Sequence, residues 1–182
     1  MILKASFFFL FLGLALARYF IVGPAQLKLL SVNPCSEYSN LPMQLVIKTK
    51  MFNKTTQLFD GFLSLPMDVN ENVTLYVKSS RIDKRKSQVN SFVINDAEAC
   101  TSLTKYVGNL WIDFQSQIGM EPGVCPIKKG NYSAKNIYLD MNKLNVQMLL
   151  EGEFKSRVIF KNATKPIYCS DLTIQLAPKE NK

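Results

Sequence analysis

The sequence predicts a mainly β protein: a two-sheet antiparallel β-sandwich with one short amphipathic helix near residues 101–118. Three observations predict it. Several short runs alternate apolar and polar residues with a period of two, as a half-buried strand does. Turn-forming residues separate these runs. One segment alone, from Cys100 to Ile118, follows a helical period instead.

Taken in order, Met43 to Lys50 places Leu45 and Ile47 on one strand face, and Asn72 to Lys78 sets Val73, Leu75 and Val77 against Thr74 and Tyr76. Further strands are expected over Val89–Ile94, Ala134–Leu139, Phe154–Phe160 and Leu172–Leu176. Turns are expected at Asp60-Gly61, Asn70-Glu71, Lys129-Gly130 and Glu151-Gly152. In the helical segment Leu103, Val107, Leu110, Trp111, Phe114 and Ile118 form one stripe, and Thr101 or Ser102 is placed to cap its start. That stripe packs on the sheets. The charged run Arg81 to Lys86 reads as a solvated hairpin loop between two strands.

The N-terminus reads as a leader for export. Lys4 precedes a short apolar run that ends in Ala15-Leu16-Ala17, the small-x-small pattern of a cleavage site. Residues 1–17 are therefore expected to be a signal peptide, too short an apolar run for a spanning helix of about 20 residues. Residues 18–182 are expected to form a single domain, secreted and extracellular. Four sequons agree with export, and Asn53, Asn72, Asn131 and Asn162 are the expected glycosylation sites. Cys35, Cys100, Cys125 and Cys169 make an even set, which in an oxidising compartment implies two disulfides with three possible pairings.

Composition narrows the function. The 182 residues include no histidine, so Ser–His–Asp and Cys–His catalysis and a structural zinc site are not expected. No Gly-rich phosphate loop is present. The carboxylate pairs Asp68 with Glu71, Asp96 with Glu98 and Glu151 with Glu153 lie near turns, where solvated surface charge is the ordinary role. No catalytic residue, metal or cofactor is expected, and the chain is not read as an enzyme. The formal charge of +8 suits an acidic surface such as an anionic membrane. Nucleic acid is not an expected partner of an exported protein. Twelve phenylalanines and seven methionines supply apolar surface for either a filled core or a hollow one.

A more specific signal lies in the C-terminal third. Cys125-Pro126-Ile127-Lys128-Lys129-Gly130-Asn131-Tyr132-Ser133 resembles the CP-x-K-x-G-x-Y-S stretch of the ganglioside GM2-activator family. Glu151-Gly152-Glu153-Phe154-Lys155-Ser156-Arg157-Val158 and Asn72-Val73-Thr74-Leu75-Tyr76-Val77 resemble two of its strands. The wider group is the MD-2-related lipid-recognition superfamily, and the chain also resembles its secreted insect members, some of them associated with taste and contact chemoreception. The resemblance implies a β-cup whose apolar cavity holds acyl chains. It also implies pairing of Cys35 with Cys169 and of Cys100 with Cys125. The chain has fewer cysteines than the activator, so the resemblance does not extend to ganglioside specificity.

On this reading the protein binds and carries a lipid or other hydrophobic small molecule, with a membrane surface or receptor as a further partner. The expected cavity wall is Phe62, Leu65, Trp111, Phe114, Ile118, Tyr138 and Leu149. The rival reading is a protein-interaction module with a filled core, whose contact with a receptor or other extracellular partner runs through the basic run Arg81 to Lys86, which includes Lys84, Arg85 and Lys86, and through the exposed loops.

Overall fold

The computed structural model describes residues 20–21, 25–53, 56–140, 143 and 149–178. The expected signal peptide, residues 1–17, lies outside them. The strands are β1 (Phe20–Ile21), β2 (Ala25–Pro34), β3 (Gln44–Met51), β4 (Gln57–Leu65), β5 (Val73–Ile82), β6 (Gln88–Asp96), β7 (Gly130–Tyr138), β8 (Leu149–Leu150), β9 (Gly152–Asn162) and β10 (Lys165–Pro178). Two helices, α1 (Ala99–Val107) and α2 (Asn109–Gln117), fall between β6 and β7.

Two antiparallel sheets carry the molecule. One has the order β2-β10-β9-β5-β6 and the other β3-β4-β7, while β1 and β8 form a short separate pair. The inward residues follow the period of two: Val73 and Leu75 on β5, Phe160 on β9 and Tyr168 on β10 are buried on one sheet, facing Phe59, Leu63 and Leu65 on β4. Burying such side chains is the main favourable term of folding, about 1.5–3 kcal/mol for each large one. Two disulfides fasten this frame. Cys35–Cys169 ties the loop after β2 to β10, and Cys100–Cys125 ties the start of α1 to the segment before β7.

The elements depart from expectation at four points. Asp60-Gly61 is not a turn but the middle of β4, held between β3 and β7. Strand β2 was not expected at all. Its apolar residues do not alternate, because Leu30 is an extra residue at a bulge opposite Thr173/Ile174, so that Leu27 and Leu29 precede it on one parity and Val32 follows on the other. The expected single helix is two. Gly108, at φ 64° and ψ −142°, breaks it in a backbone region that L side chains rarely adopt. The expected caps also differ: Glu98 occupies the N-cap, Thr101 Oγ1 donates to its carbonyl, and Ser102 Oγ donates to Asp96 instead.

The charged run ends β5 and opens a hairpin. Asp83 Oδ1 accepts the backbone N–H groups of Arg85 and Ser87, so the loop closes on its own aspartate and leaves Lys84, Arg85 and Lys86 exposed.

Candidate functional site

Between the two sheets and the helices lies a cavity of about 480 Å³. The five-stranded sheet contributes Leu29, Leu75, Val77, Val158 and Phe160, and the three-stranded sheet contributes Leu45, Ile47, Phe59, Leu63 and Ala134. The helices supply Leu103, Tyr106, Val107, Trp111 and Phe114. Trp111 and Phe114 stack with ring centroids 5.6 Å apart. The stacked pair sits on the stripe that the helical spacing implies, three residues apart on one face. Volume and lining fall in the range of small-molecule sites, which run from about 300 to 1,000 Å³ and are mostly apolar.

The residues expected in the wall are placed as follows. Leu65, Trp111, Phe114 and Ile118 line the cavity, and Leu65 and Ile118 are buried. Phe62 borders it but stays 41% exposed, since it alternates with the buried Leu63. Tyr138 does not line it and is 47% exposed. The cause is a bulge in β7: Phe59 pairs with Ile137 and Gly61 with Ala134, so two residues of β7 stand opposite Asp60. Asn136, at φ 56°, takes the left-handed conformation there, and its N–H donates to Asp60 Oδ1 at 2.6 Å. Parity then flips. Tyr132 and Ala134 point inward before the bulge, Ile137 and Leu139 after it, and Tyr138 points out. Leu149 belongs to β8, and its side chain lies outside the described residues.

The stretch Cys125 to Ser133 forms one connected unit beside the cavity. Lys129 N–H and Lys128 Nζ both donate to Asp68, and the backbones of Ile127 and Val69 bond each other. These contacts hold the Asp68 carboxyl below the ordinary aspartate value, first through the Lys129 amide. Tyr132 folds back over Gly130, where an added Cβ would stand 3.3 Å from its ring, and its hydroxyl donates to the Lys128 carbonyl. The ring itself lines the cavity.

Three polar side chains of the lining are buried: Ser102, Tyr168 and Ser170. Ser102 donates to Asp96, whose carboxyl is held low by that bond and by the Tyr106 hydroxyl and Lys105. Tyr168 and Ser170 stand two apart on the inner face of β10. Burial pushes the Tyr168 phenol up, and the adjacent Ser170 hydroxyl opposes the shift.

The wall from β2, with Leu27 and Leu29, was missed because the bulge hid the alternation. Gln57 fixes that wall. Its side-chain amide accepts the Leu29 N–H at 2.9 Å and donates to the Leu29 carbonyl at 3.0 Å, so β4 holds the edge strand of the opposite sheet. A glutamine at a strand start carries no such signal in sequence. Of the sequon asparagines, Asn53, Asn72 and Asn131 are exposed, whereas Asn162 is half-buried and donates to Met67 Sδ.

No family model matches the chain. No curated protein matches it either. Among solved structures, chicken MD-1 complexed with lipid IVa is similar with a TM-score of 0.36 and 14% identity, over 86% of this chain and 95% of that one.

Proposed function

We propose that this chain is a secreted member of the MD-2-related lipid-recognition superfamily that carries a lipid or other hydrophobic small molecule between its two sheets. The cavity of about 480 Å³, with its apolar lining, is the observation that carries the reading. Each methylene that leaves water for such a lining contributes about 0.8 kcal/mol. The sandwich and its two disulfides keep the walls apart against collapse. The CP-x-K-x-G-x-Y-S resemblance and the leader-like N-terminus support the same assignment, and contact chemosensation in an insect is the setting that the resemblance favours.

The test is mass spectrometry of organic extracts from the folded, secreted protein, alongside quenching of Trp111 fluorescence by a spin-labelled fatty acid. Stoichiometric lipid with saturable quenching is the expected result. Lipid-free protein with no quenching overturns the carrier reading and turns attention to Lys84, Arg85 and Lys86 as a contact for a protein partner.

A further inference from the structure

The floor of the cavity is not uniformly apolar. Tyr168 and Ser170 are 6% and 2% exposed, and both face the cavity between Phe160 and Val158 on β9 and Leu172 farther along β10. The third buried polar side chain of the lining, Ser102, is committed to Asp96. The half-buried Tyr132 hydroxyl is committed to the Lys128 carbonyl, and Asp60 to Lys50 and Asn136. The Tyr168 and Ser170 hydroxyls are neighbours on this face, and among the described residues no other group bonds either of them. Two hydroxyls carry two donor protons, and a bond between them would use only one. A second donor therefore faces an apolar space, where an unmade hydrogen bond is costly. Among the described residues, no lysine or arginine lines the cavity.

From this pair we infer a polar anchor point inside the cavity, and with it the chemical class of the ligand: an uncharged, mostly apolar molecule with a single hydroxyl or carbonyl oxygen, as in a long-chain alcohol, ester or sterol. The oxygen accepts from the Tyr168–Ser170 pair while the hydrocarbon body lies against Val158, Phe160 and Trp111. A carboxylate at the same point meets no cation, and burial of an unpaired charge is strongly unfavourable. The inference rests on the carrier reading and narrows it.

The test measures displacement of a neutral naphthylamine dye by dodecanol, dodecane and dodecanoate at neutral pH, in the wild type and in Ser170→Ala and Tyr168→Phe. The wild type is expected to prefer dodecanol to dodecane and to dodecanoate by about tenfold, the equivalent of one hydrogen bond. Both variants are expected to lose the preference of dodecanol over dodecane. The alcohol-to-alkane ratio within each variant cancels any general loss of folded protein. Dodecanoate binding as well as dodecanol overturns the anchor, since the polar end then lies in water. An unchanged ratio in both variants also overturns it and leaves the carrier reading standing. Failure of the dye and of all three ligands to bind overturns both.

Discussion

At the scale of single residues, β4 and β7 depend on a few backbone contacts. Gly61 pairs with Ile47 in β3, and an added Cβ would stand 2.7 Å from the Val46 carbonyl oxygen. That atom belongs to the backbone of the neighbouring strand and cannot rotate away. Gly61→Ala is expected to cost about 1–3 kcal/mol, the range for overpacking, read as a lower midpoint in urea. Charge acts on the outer face. Arg157 grips Asp171 with Nε and one terminal nitrogen, each 2.8 Å from a carboxylate oxygen, and also bonds Glu37. The Arg157 fork holds the Asp171 carboxyl below the ordinary value of 3.8. A depressed carboxyl stabilises fully above its unfolded pKa, and the contribution disappears as pH falls through the lower folded value. The thermal midpoint is therefore expected to hold down to about pH 4 and to drop below it. Arg157→Gln is expected to flatten this acid limb, and a limb of unchanged steepness counts against the assignment.

At the scale of elements, the joints between β2 and β4 and within the helical segment set the cavity walls. Gln57→Ala leaves the Leu29 N–H and carbonyl without their partner. It is expected to cost about 1–3 kcal/mol, as an unmet buried group does, and to speed amide exchange at Leu29 before that of β9. Replacing Cys100 and Cys125 by serine opens a loop of sequence separation 25. On the loop-entropy model this costs about 3–4 kcal/mol, measured by calorimetry against the parent. The same elements explain what was readable in the sequence. β5 and β10 were legible because Val73, Leu75 and Leu172, Ile174, Leu176 alternate without interruption. Trp111 and Phe114 were legible because the helical stripe continues past the break at Gly108 and both rings line the cavity. Tyr138 and β2 were not legible. Each lies next to a bulge, and a bulge reverses the period-two reading of every residue beyond it. What identifies the β7 bulge is Asp60 accepting from Asn136, a contact between residues 76 apart in sequence.

At the scale of the whole molecule, the question is whether the space between the sheets is occupied by a ligand or only available to one. A protein interior is normally close-packed, and a void costs its lining the contacts it would otherwise make. A cavity of about 480 Å³ is therefore expected to be a net cost to the empty fold. This yields a pair of opposed effects from one substitution. Ala134 lines the cavity on β7, opposite Gly61, where the inner face has no large side chain on either strand. Ala134→Trp directs an indole into that space. If the cavity is the carrier site, lipid co-purifying with the protein falls to a small fraction of the parental amount, and the ligand-free protein melts at the same temperature or higher, because the indole restores contacts the void lacks. If the fold closes on itself in solution and the space is not there, the indole overpacks a filled core and costs about 1–3 kcal/mol, with no lipid to lose. Measuring the thermal midpoint and the extracted lipid on the same preparation separates the two outcomes, since the sign of the stability change reports whether the walls stand apart.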